Sequence, residues 1–159
     1  MENETSRLLF LTRVVQKEAL YLTETTGRLF GDESVTTSTV RSWVTDSIMA
    51  ERLDAFVARF GRLQDTIGDK LIPRLLSFLG ESLGPAIDNL DKAEKFGWID
   101  SADDWIAHRK LRNQMIHEYI EDETVLVDAL ETARLWVSPM VDIAHRLSNT
   151  VNQRVPSPP

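Results

Sequence analysis

Leu53, Phe56, Phe60, Leu63, Ile67 and Leu71 follow one another at steps of three and four residues. Side chains turn by about 100° per residue in a helix, so all six fall on one face, and a stripe of that length has to be covered by other helices. This feature constrains the chain more than any other. Leu8, Leu11, Val15, Ala19 and Leu22 mark a first helix from about Glu4 to the mid-twenties in the same way, with Leu9 and Val14 widening its face. Val125, Val127, Leu130, Ala133, Val137, Val141, Ala144 and Leu147 mark a last one, with a bend expected at Ser138-Pro139. No stretch alternates apolar and polar residues as a half-buried strand would. The expected fold is all-α, an up-and-down bundle of four to five helices forming one domain over 1–153, with a disordered Pro-rich tail at 154–159.

Punctuation between the stripes fits this reading. Thr36-Thr37-Ser38-Thr39 is rich in capping residues and opens a helix whose apolar side would be Val40, Trp43 and Val44. Pro73 has no backbone N–H to donate, so the long central helix should kink or restart there before Leu75, Leu76, Phe78 and Leu79. A shorter helix is expected from Pro85, at its first position, to Phe96, with Ile87, Leu90 and Ala93 inward and Gly97 closing it. Ser101-Ala102-Asp103-Asp104 resembles a capping box and starts a further helix. Trp43, Trp98, Trp105 and Trp136 are expected to anchor the core or an interface.

Composition narrows the chemistry. With no cysteine among 159 residues, disulfides, thiolate nucleophiles and cysteine-ligated metals are excluded. The three histidines, His108, His117 and His145, do not have the spacing of a metal site on one helix, and no cofactor is expected. No apolar run reaches the roughly 18 residues of a membrane span, and the acidic start has no export signal, so a cytoplasmic location is expected. A net charge of −7 argues against a generally basic surface, so any contact with nucleic acid must be local.

One segment reads as chemistry: Arg112-Asn113-Gln114-Met115-Ile116-His117-Glu118-Tyr119. On a single straight helix Trp105, Arg112 and Tyr119, seven apart, would each lie within about 20° of the next. Asn113 and His117, four apart, are close enough for the amide to orient the imidazole. Arg112 and His117 lie about 140° apart around a straight helix, so one site could use both through the reach of arginine, a bent helix end or a second copy of the chain. His108, Arg109, Lys110 and Arg112 form the densest cationic cluster, a candidate substrate-phosphate site, although bases late in a helix also suit its dipole. His108, one turn before Arg112, is expected to border the same cleft.

Arg112-Asn113, His117 and Tyr119 at these offsets on a late helix resemble the Arg-x4-His-x-Tyr signature of HEPN-domain toxins, specifically the HepT-like group. The resemblance implies a homodimeric, metal-independent endoribonuclease with its cleft at the dimer interface. Arg112 and His117 would be its catalytic pair and Asn113 their polar support. It also implies a minimal nucleotidyltransferase antitoxin as partner, with Tyr119 as acceptor of the AMP groups that silence the toxin. Related HEPN proteins act without catalysis, as substrate-binding partners of a nucleotidyltransferase, and that is the alternative expectation. Glu118 and Glu121-Asp122-Glu123 place negative charge near the cleft, so RNA affinity should be weak and steeply salt-dependent.

Overall fold

The computed structural model describes residues 2–156, without the side chains of residues 2 and 118–121. Among the described residues every regular element is helical. Helix α1 is Glu2–Phe30, α2 Thr37–Thr45 and α3 Ser47–Asp65. A π-helical segment, Thr66–Leu71, then leads without a break into α4, Ile72–Phe78. The remaining helices are α5, Ala86–Lys95, α6, Ala102–Arg109, α7, Leu111–Glu121, and α8, Glu123–Arg154. Short segments thus raise the number of helices above the four to five expected, while the long ones carry the bundle.

All six stripe residues of the central helix are fully buried, as are Leu8, Val15 and Leu22 of α1. They meet because α1 packs on both α3 and α8, and α7 packs on α8 and α3. Each such Leu, Ile or Phe contributes roughly 1.5–3 kcal/mol relative to its exposed state. Helix α1 runs past the mid-twenties because Leu29 and Phe30 also reach the core. Phe30 meets Phe56 edge-on at 4.9 Å and Trp43 at 5.7 Å, and Gly31, at φ +58°, ends the helix.

Pro73 does not break the central helix. The backbone widens before it, where Ile72 N–H donates to Ile67 C=O, and the proline falls in the first turn of α4, where a missing N–H costs least. Helix α8 runs on through Pro139 as one element. It reaches Arg154 and buries Val155, so ordered chain extends two residues into the span expected to be disordered, while residues 157–159 lie outside the described ones.

Three side chains face the other way from expectation, the exposed Val125 in the first turn of α8 among them. Val44 is exposed, because α2 presents only Val40 and Trp43 to the core. Ile87 is exposed because α5 turns Asn89, Leu90 and Ala93 inward. Asn89 exchanges two hydrogen bonds with the backbone of Gly84, which fixes that rotation, and Pro85 is the N-cap rather than the first helical residue. Trp43, Trp98 and Trp105 are buried and Trp136 is half-buried. No helix among the described residues is long and apolar enough to cross a membrane.

Candidate functional site

Ser101 caps α6 by accepting a hydrogen bond from Asp104 N–H, as its sequence suggested. The helix it opens is not the single one expected. It ends at Arg109, Lys110 turns the chain, and α7 begins at Leu111. This break divides the residues of interest between two axes. Trp105 on α6 goes into the core, 1% exposed, while Arg112 on α7 stays half-exposed, so the two differ in burial although both lie against the central helix.

What brings α6 and α7 against the trunk is a pair of glycines. A β-carbon on Gly61 would overlap the Arg112 side chain at Cδ. One on Gly68 would sit 2.8 Å from Trp105 Nε1. Gly61 and Gly68 are seven residues apart, as are Trp105 and Arg112, and they match in opposite order, so the α6–α7 pair runs antiparallel to the trunk in register.

Charges close the same seam. Arg112 Nη1 donates to Asp65 Oδ2 at 2.7 Å, with both side chains 40% exposed. Arg109 Nη2 lies 3.2 Å from Asp69 Oδ1, four residues further along the trunk. At that exposure each pair is worth about 0–1 kcal/mol, so they position the guanidinium groups more than they hold the fold.

Beside the Arg112–Asp65 pair, α3 and α7 enclose an open cavity of about 500 Å³. Asp54 and Arg62 line it from α3, Arg112 and Asn113 from α7, with Val57, Ala58, Met115 and Ile116 as its apolar wall. Asp54, Asp65 and Arg62 were not singled out in the sequence. Only their place one turn from the apolar stripe hinted that they border a helix contact, and nothing local showed which helix would meet them.

The other expected site residues divide as follows. His117 is exposed on α7, and among the described residues no hydrogen bond joins it to Asn113. Lys110 is exposed at the turn between α6 and α7. Tyr119 belongs to α7 by its backbone, but its side chain lies outside the described residues. His108 does not border the cavity. It stacks on Trp136 of α8 at 4.1 Å, its Nδ1 buried with no partner among the described residues. Burial lowers its pKa below the ordinary value, against the opposing pull of Asp104, which disfavours its charged form.

Chemically, the cavity offers two guanidinium groups, an amide, the Asp54 carboxylate and an apolar wall, with the Arg112 guanidinium already engaged by Asp65. Such a surface suits a ligand that carries an anion and an apolar body. Among the described residues no group of three or more carboxylates and histidines is arranged to hold a metal ion. No protein family, curated protein or solved structure matches the chain.

Proposed function

We propose that the chain is a HEPN-like, homodimeric, metal-independent endoribonuclease of the HepT-like kind, with Arg112 and His117 as its catalytic pair and Asn113 as their support. The observation that carries this reading is that Arg112 and Asn113 line one open cavity while His117 stands exposed on the same helix. Both motif side chains are therefore within reach of substrate. Their wide angular separation around α7 is what a two-fold arrangement would resolve, since each cleft could draw its arginine from one protomer and its histidine from the partner.

In this reading the ribose 2′-oxygen attacks the adjacent phosphorus as the bond to the 5′-oxygen breaks. A histidine takes the 2′-hydroxyl proton, and the partner's histidine protonates the leaving oxygen, giving a 2′,3′-cyclic phosphate and a 5′-hydroxyl. Histidine suits both transfers because its side chain can take up or give up a proton within hydrogen-bond reach of the reacting oxygens. Arg112 exchanges Asp65 for the phosphate oxygens and stabilises the charge gathering on them. The same reading gives the chain a cognate nucleotidyltransferase as partner, which silences it by placing AMP on Tyr119, adding bulk and negative charge beside Arg112.

The test is cleavage of mixed RNA in the presence of a chelator. Wild-type protein is expected to release 2′,3′-cyclic phosphate ends, and His117→Ala to lose about 10² to 10⁴ in rate with unchanged circular dichroism. Cleavage that survives the substitution would remove the nuclease assignment. A second reading draws on the Arg112–Asp65 pair, which leaves that guanidinium satisfied within one chain: a non-catalytic partner subunit of a nucleotidyltransferase. A folded wild-type protein that binds such an enzyme but leaves RNA intact would favour it.

A further inference from the structure

A second open cavity, of about 730 Å³, lies between the first turns of α1 and the stretch that joins the π-helical segment to α4. Its cationic lining is Arg7, Lys70 and Arg74. Among the described residues none of the three is in an ion pair. Lys70 and Arg74 stand one helical turn apart, an arrangement of like charges that costs a helix a few tenths of a kcal/mol unless something anionic joins them. Arg7 comes to the same place from a different helix, so the convergence is made by the tertiary fold and not by local sequence. The Arg7 guanidinium is 5.3 Å from the centroid of the Phe10 ring, a contact that holds it in place.

The acids facing this cavity are Glu4 and Asp69, and Asp69 is engaged by Arg109. Glu18 is within electrostatic reach of Lys70. Burial raises the Glu18 carboxyl above its ordinary range, and Lys70 is among the cations opposing that rise. With Asp69 neutralised by Arg109, three cations face one free carboxylate at the cavity, a local positive excess on a chain whose net charge is −7. Asn3 and Ser77 add neutral hydrogen-bonding groups, and Pro73 and Leu83 an apolar wall. The volume lies within the range of small-ligand sites.

We propose that this cavity binds a free nucleoside phosphate, its phosphate oxygens held by Arg7, Lys70 and Arg74 and its organic body against Pro73 and Leu83. The site is separate from the Arg112 cavity and does not depend on the nuclease reading. Calorimetric titration of the full chain at low ionic strength with ADP, inorganic pyrophosphate and adenosine tests it. ADP and pyrophosphate are expected to bind, adenosine not, and added salt to weaken both.

Arg7→Gln and Arg74→Gln should each weaken ADP binding about tenfold, in line with loss of one charge-assisted hydrogen bond, with circular dichroism unchanged. Arg112→Ala should leave ADP binding as it is. ADP bound tighter than pyrophosphate supports a role for the apolar wall, whereas equal affinity confines the site to the phosphate and overturns the nucleoside part of the proposal. No ADP binding by wild-type protein, or equal ADP affinity in the folded Arg7→Gln/Arg74→Gln double variant, overturns it altogether. RNA cleavage is read in a different assay, so failure of either proposal is recognisable without the other.

Discussion

Gly68 under Trp105 and Gly61 under Arg112 are the same device used for opposite ends. At both places the trunk omits a β-carbon so that a large side chain from the α6–α7 pair can lie close. Under Trp105 the clearance is filled by a ring that is 1% exposed and packs edge-on to Trp136 at 6.1 Å. Under Arg112 it is filled by a flexible chain whose charged end stays in solvent contact beside a cavity. The first contact holds the fold, and the second aims a guanidinium. Rigidity of the intruding side chain, rather than closeness of approach, decides which role a clearance serves.

The sharpest way to break this comparison is at the ring. Trp105→Ala empties a fully packed position, and such truncations cost about 3–5 kcal/mol. For a chain of this size each kcal/mol moves the thermal midpoint by about 2–4 °C, so a fall of roughly 6–20 °C is expected. Calorimetry checks it, and a midpoint within two degrees of wild type would show that Trp105 is not the fastening it is taken to be.

Gly68→Ala attacks the same contact from the trunk. The added methyl meets the indole nitrogen inside van der Waals distance, and a ring held by Trp136 and the core has nowhere cheap to go. Overpacking of this kind costs about 1–3 kcal/mol, less the 0.5–1 kcal/mol that alanine gains over glycine within a helix. A net loss of about 0–2.5 kcal/mol is expected in urea titration, between that of Trp105→Ala and that of the corresponding change at Gly61. Equal effects at the two glycines would erase the distinction drawn between them.

Much of the trunk was legible in the sequence because a helical stripe reports its own burial. Leu53 to Leu71 needed no partner to be recognised, only periodicity, and all six residues are fully buried. The α6–α7 region was less legible for a physical reason. The turn at Lys110 has no proline or glycine to announce it, so a continuous helix was the natural reading; Trp105 and Arg112 do both lie against the central helix, but on two axes. His108 looked like a neighbour of Arg112 for the same reason, and the same turn leaves it stacked on α8. Asp65, Asp69 and Gly61 were illegible as site residues because their partners are about forty residues away in the chain. The offsets of Arg112, Asn113 and His117 could be read, but where each points depended on how α7 is rotated against α3.

The smallest effect on stability is expected at Gly61→Ala, and there the sign has to be argued. Alanine inside α3 gains about 1 kcal/mol over glycine. Against this, the new methyl overlaps the middle of the Arg112 side chain, which moves aside because its outer half is in solvent. That movement breaks the pair with Asp65, worth about 0–1 kcal/mol for side chains as exposed as these. The two contributions oppose each other and leave between no change and a gain of about 1 kcal/mol, so the unfolding midpoint should rise by no more than about 4 °C. A double-mutant cycle sees what the midpoint hides. Asp65→Asn should cost about 0.2–1 kcal/mol with glycine at position 61 and nothing with alanine there, because the pair is already broken. If Asp65→Asn costs the same in both backgrounds, Gly61 does not set the aim of Arg112, and the two glycines differ in less than their neighbours suggest.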